Sequence, residues 1–253
     1  MNVTKKIYLS IMIILMCVLV YSGYKIYSIY TEYDQGETVY EDLVEEFEEE
    51  ATDDAPVERE EIDSEIKFKV DFDALKKENE DTIGWIYSPN TVINYPVVQG
   101  EDNSYYLKHL FNGKKNSAGT PFLDYHMASD FSEKNNFIYA HHMKNGTMFS
   151  SLTKYKEMEY YKAHKNIYLI TPKQKYRLEV FSAYITKPTS DTYMRGFSEN
   201  DNFKKYIKYI TDLSLINTGV KVDIKDKIVS LSTCTYEYKD ARFVVHTKAV
   251  KIK

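Results

Sequence analysis

The hydrophobic and polar positions divide this 253-residue chain into three stretches of different character. The first is uncharged from Ile7 to Tyr24 and as a helix would rise about 27 Å, close to the hydrocarbon thickness of a bilayer. From Glu32 to Glu65 the pattern turns acidic, with Glu45-Glu46 and Glu48-Glu49-Glu50 ahead of Pro56. So charged a stretch cannot bury a core, and it predicts an extended spacer with only transient helix around Tyr40 to Glu50. A globular part opens near Ile66 with a helix over Phe72 to Glu80, for which Asp71 is the cap. Short β-rich runs follow with turn residues between them: Ile83 to Tyr87, Val92 to Val98, Gly119 to Asp124, Asn136 to His142, Ile167 to Thr171, Tyr176 to Thr186, Ile228 to Cys234 and Arg242 to Val250. This predicts a mainly β fold with accessory helices, and a closed eight-stranded barrel would leave such strands no exposed edge. One helical stripe interrupts the pattern between the sixth and seventh strands. Phe203, Tyr206, Ile207, Ile210 and Leu213 recur at helical spacing behind a Ser198-x-x-Asp201 capping signal.

Charge sharpens the division. Thr31 to Glu65 holds 17 acidic residues against Arg59, whereas Ile66 to Lys253 holds 29 basic and 21 acidic ones, a net charge of +8. A basic domain suits an anionic surface, and no nucleic-acid-binding signature accompanies it, so a nucleic acid is not the expected partner. Lys5 and Lys6 precede the apolar segment and mostly acids follow it, which predicts a cytoplasmic N-terminus and a membrane anchor. Val20-Tyr21-Ser22 offers the alternative of a cleaved signal peptide. The expected organisation is anchor in 1–30, acidic stalk in 31–65 and folded domain in 66–253.

The chemistry centres on Cys234. The other cysteine, Cys17, lies in the apolar segment, so the exported part has no partner for a disulfide within the chain. A lone exported thiol is either inert and buried or a nucleophile. Strands ending at Cys234 and beginning at Arg242 would set these two at facing ends of neighbours. A nucleophilic thiol needs a proton acceptor, usually histidine. His141 and His142 end one strand on opposite faces, so only one of them can point at Cys234. His246 shares a face with Arg242 but lies about 13 Å further along the strand. His109, His126 and His164 have no clustered partner, and no convincing ligand set for a metal accompanies His141 and His142. For Arg242 the ordinary alternative is a surface ion pair with Asp240 or Glu237.

The run Ser230-Leu231-Ser232-Thr233-Cys234, followed by Arg242, resembles the sortase signature, Thr-Leu-x-Thr-Cys and then arginine, with serine replacing the first threonine. Sortases are cysteine transpeptidases of Gram-positive cell walls. The helix between the sixth and seventh strands and the one before the first strand resemble class B. The resemblance implies a sortase-type barrel and, through the small residue before it in Ala140-His141, favours His141 over His142. It implies His141, Cys234 and Arg242 as catalytic residues, without metal or cofactor, and Asn103, Leu107, Thr189, Tyr193, Met194 and Ser232 as the peptide-binding set. The reaction it implies is cleavage of a C-terminal sorting signal, of Asn-Pro-Gln-Thr-Asn or [Ser/Asn]-Pro-x-Thr-Gly type, through a thioester on cysteine. Its partners would be surface proteins bearing that signal and a peptidoglycan precursor amine, met by a domain outside a single-pass membrane anchor. A pilin-polymerising sortase and a cell-wall cysteine peptidase use similar groups, although such peptidases commonly place cysteine before histidine. A tethered binding domain without catalysis is the remaining alternative.

Overall fold

The computed structural model describes residues 3–50, 66, 68–197 and 199–252. In chain order the elements are α1 (Val3–Phe47), β1 (Glu48–Glu50), β2 (Phe68–Val70), α2 (Phe72–Glu78), β3 (Thr82–Tyr87), β4 (Asn94–Val98), β5 (Phe122–Leu123) and β6 (Asn135–Tyr139). They continue with α3 (Met158–Ala163), β7 (Asn166–Ile170), β8 (Lys175–Thr186), α4 (Asn200–Asp212), β9 (Ile228–Cys234) and β10 (Arg242–Ile252). Strands β3 to β10 close a barrel in the order β10-β8-β7-β3-β4-β5-β6-β9. All eight runs read from the alternation supply a strand, and α4 falls between the sixth and seventh of them as expected. Asp71 caps α2, its Oδ1 accepting from the backbone N–H groups of Asp73 and Ala74 at 3.0 Å.

Several details depart from the sequence pattern, each for a local reason. Strand β5 is only two residues long and does not start at Gly119. Gly119 has φ +61°, and a Cβ there would come within 2.4 Å of the Tyr106 carbonyl, so the chain turns at that point and only glycine fits. Strand β6 ends at Tyr139, before both histidines. Helix α4 starts at Asn200 with Glu199 at the N-cap position, which makes no side-chain cap bond. Ser198, the expected cap, lies outside the described residues. Its apolar stripe buries Phe203, Tyr206, Ile207 and Ile210 against Phe181, Tyr184 and Ile228, whereas Leu213 at its end stays exposed.

The acidic stretch differs more. Glu32 to Phe47 do not extend away from the barrel but continue the 45-residue α1, about 67 Å long at the usual rise. Tyr33, Gly36, Tyr40, Leu43 and Val44 recur three and four apart, and this face packs on the barrel; the acids from Asp34 to Glu46 are exposed, while Glu32 Oε1 accepts from the Ser117 N–H at 2.8 Å. The Tyr40 hydroxyl donates to the Gly119 carbonyl, and its ring meets Tyr95 edge to face at 5.1 Å. Asn116 donates to the Glu32 carbonyl at 2.8 Å, and a Cβ on Gly36 would sit 3.3 Å from both Asn116 and Ala118, so the helix lies close against this loop. The remainder of the expected stalk, 51–65, lies outside the described residues. The apolar part of α1 is uncovered by the other described residues, and a window within Lys5–Glu46 has a mean hydropathy of 2.1.

A buried polar chain runs between α4 and the barrel wall. Asn135 donates to the Tyr206 hydroxyl, which donates to the Thr192 carbonyl. Ser230 donates to Asn135 Oδ1 at 2.7 Å, so it must accept from His246 Nδ1–H at 2.7 Å. His246 Nε2 then accepts from Tyr184 at 3.0 Å. Burial pushes the His246 imidazole down to about 3. The unfolded chain therefore binds a proton that the native one does not between about pH 6.5 and 3. Stability attributable to this neutral histidine should be complete above about pH 6.5 and should fall below it by about 1.4 kcal/mol per pH unit. Urea unfolding of the full chain and of His246→Gln at pH 7, 6 and 5 measures this, and an equal pH slope in both would remove His246 as its source.

Candidate active site

Strand β9 carries the signature run and is hydrogen-bonded on both sides. On one side β10 pairs antiparallel with it, placing Arg242 directly opposite Cys234. On the other β6 runs parallel, with Tyr139 opposite Ser232. The ladder continues past the end of β6, where Ala140 N–H donates to the Ser232 carbonyl at 3.2 Å and Thr233 Oγ1 donates to the Ala140 carbonyl at 2.8 Å. One further step in register brings His141 level with Cys234.

A cleft of about 570 Å³ opens at this end of the barrel and is lined by His141, Cys234 and Arg242 together. His142 lines a different cavity. Its Nδ1–H donates to the Cys234 carbonyl at 3.1 Å, so it supports the Cys234 backbone and not the thiol. His141 Nε2 lies 2.8 Å from the Leu107 carbonyl, which can only accept, so Nε2 carries the proton and Nδ1 is left to act. Arg242 makes no ion pair with Asp240 or Glu237. Its Nη1 donates to the carbonyls of Asp240 and Ala241 at 3.2 and 3.1 Å, which fixes the fork without neutralising its charge. His246 is buried in the core network, away from this cleft.

Of the expected peptide-binding set, Asn103, Leu107, Tyr193 and Ser232 line the cleft, while Thr189 and Met194 are exposed and do not. A single 3-10 turn over Asp191–Tyr193 directs Thr192 into the core and Tyr193 onto the cleft. The Tyr193 hydroxyl is 2.9 Å from Ser232 Oγ, and burial pushes it up to about 12, so it is a neutral hydrogen-bonding group at physiological pH. Asn103 and Leu107 sit on a loop and not on a helix. Asp102 Oδ1 accepts from the N–H groups of Ser104 and Tyr105, turning the chain locally.

Sequence reasoning missed a group at the wall of the cleft. Asp124 is buried and accepts from the Tyr139 hydroxyl at 3.1 Å and from Arg195 Nη1 at 3.0 Å, and His126 Nδ1 lies 2.8 Å from it. Burial alone would raise this carboxyl, but the hydrogen bonds from the His126 backbone and ring and the Arg195 charge hold it below the ordinary range. No local spacing announces the group, since Asp124 and Arg195 lie 71 residues apart. Their ion pair ties the segment carrying Tyr193 to the end of β5.

The sortase-domain family profile matches residues 86–250. The Staphylococcus aureus Sortase B is 34% identical over 251 residues, covering 98% of each chain. The chain belongs to the sortase family. The Sortase B of Listeria monocytogenes is 38% identical over 180 residues, spanning 70% of this chain and 72% of its own. Among solved structures, a Staphylococcus aureus sortase B–substrate complex superposes with a TM-score of 0.69 at 34% identity, covering 72% of this chain and 85% of that one. The protein is a sortase of class B type, a cysteine transpeptidase that anchors proteins to the cell wall.

Arg195→Ala in this sortase should raise the KM for a cleaved peptide by about threefold to tenfold and leave kcat within about twofold, because a half-exposed ion pair contributes modestly. Arg195→Lys should recover part of the loss. Steady-state kinetics checks this, and a fall in kcat at constant KM would assign the pair elsewhere.

Proposed function

We propose that Cys234, His141 and Arg242 perform the transpeptidation, on the strength of their convergence on one cleft from three neighbouring strand ends. His141 Nδ1 takes the proton of the Cys234 thiol, the thiolate attacks a backbone carbonyl within the sorting signal, and Arg242 donates to the oxygen as charge develops there. His141 protonates the departing amine as the C–N bond breaks, leaving a thioester. An acceptor amine then attacks, His141 takes its proton, the new amide forms and the thiolate leaves. Asn103, Leu107, Tyr193 and Ser232 lie along the same cleft and hold the signal. The signal is of Asn-Pro-Gln-Thr-Asn or [Ser/Asn]-Pro-x-Thr-Gly type, and the acceptor is a peptidoglycan precursor amine. The apolar part of α1 anchors the chain, with the N-terminus in the cytoplasm and the barrel outside, as the flanking charges favour.

Mass spectrometry of products from a sorting-peptide library, with and without added amine, tests the reaction. Amide products joined at one signal class support it, and hydrolysis alone at every acceptor concentration would favour a peptidase. Cys234→Ala should abolish cleavage and thioester formation without unfolding the barrel. His141→Ala should be nearly as damaging to cleavage and His142→Ala much milder, and the reverse order would exchange their roles. Arg242→Lys keeps the charge but loses the planar fork, so kcat should fall by about tenfold or more; unchanged kinetics would remove Arg242 from the transition state.

A further inference from the structure

A second cavity, of about 740 Å³, lies behind the nucleophile. His141 and His142 are consecutive and line different cavities, the first the cleft and the second this one. The wall between the two is built from the nucleophile's own surroundings. His142 holds the Cys234 carbonyl, and the Tyr236 hydroxyl, two residues beyond Cys234, donates to the His142 carbonyl at 3.0 Å with its ring 5.1 Å from the imidazole. The lining includes Lys144, Lys154, His142 and His164 and no carboxylate, and Ser150, Ser151, Thr153 and Thr91 add hydroxyls. Neither lysine forms an ion pair among the described residues, and Lys154 Nζ rests 5.7 Å over the Tyr160 ring. A basic, hydroxyl-rich cavity without acids selects an oxyanion.

Transpeptidation needs two substrates, and the thioester keeps the acyl segment in the cleft while the amine arrives. We infer that the second cavity holds an oxyanion carried by the amine acceptor, with Lys144 and Lys154 supplying the charge, so that the amine is delivered past Tyr236 and His142 towards Cys234. The inference rests on the transpeptidase reading above and adds the acceptor's binding site to it. A peptide carboxylate and the diphosphate of a carrier-linked precursor share this chemistry.

The test uses the full chain in detergent, a peptide that it cleaves, and two acceptors, triglycine and Nα-acetyl-lysine, each as free acid and as amide. Inorganic pyrophosphate serves as a competitor. If a carboxylate is the bound group, the free acids have a KM lower than the amides by about fivefold, and Lys144→Gln/Lys154→Gln abolishes the difference. If a diphosphate is bound, pyrophosphate competes with the acceptors in the wild type and not in the double variant. Acceptor-free cleavage takes place in the other cleft and reports whether the double variant is folded. Equal KM values for acids and amides, together with no lysine-dependent competition by pyrophosphate, overturn the inference. Hydrolysis alone, with no amide product from either acceptor in the wild type, would sink the underlying reading instead, so the two failures are distinguishable. A single-lysine pair of variants, Lys144→Gln and Lys154→Gln, decides the matter where the double variant does not fold.

Discussion

The double ladder on β9 is the constraint from which the site follows. Parallel pairing with β6 and antiparallel pairing with β10 leave no freedom in the relative heights of their ends. A one-residue slip on either side would turn every side chain of that strand to the opposite face, exchanging Arg242 or His141 for a neighbour that faces the core. The ladder is fixed by burial, since all of β9 before Cys234 is buried. Core packing thus sets the geometry of a partly exposed thiol.

The polar side chains of β9 extend this control beyond the strand. Ser230 joins the buried His246 and Asn135 network, Thr233 ties down the carbonyl before His141, and Ser232 meets Tyr193. The Ser230 network continues through Tyr206 and Tyr184 to Thr192, the residue before Tyr193. Residues on both sides of the cleft are therefore braced by the same buried hydrogen bonds, which cost little only because each partner is satisfied. The Asp124–Arg195 pair adds a second brace from the other side of the cleft.

Helix α1 joins the apolar segment to the barrel. Its Tyr40 and Leu43 belong to the core contiguous with the barrel, and its hydrogen bonds reach the loop that turns at Gly119. A continuous helix of this kind fixes the distance between apolar segment and barrel, where a random spacer would let it vary.

Much of this was legible in the sequence. Alternation and turn residues identified all eight barrel strands, helical spacing identified α4, and the Cys234 run with Arg242 predicted two neighbouring strand ends that do face each other, because a strand's period and a tight connection are local properties. The packed half of α1 was misjudged from charge density, although its stripe of Tyr33, Gly36, Tyr40 and Val44 was present. An amphipathic helix carries as many acids as its outer face can hold, and only the barrel reveals which face is inner. The sequence also separated His141 from His142 only by resemblance, and the strand expected to run to His142 ends at Tyr139, before either. Their assignment to two cavities, the Asp124–Arg195 pair and the basic cavity behind Cys234 all depend on segments far apart in the chain. Such contacts are set by barrel closure, and no local pattern encodes them.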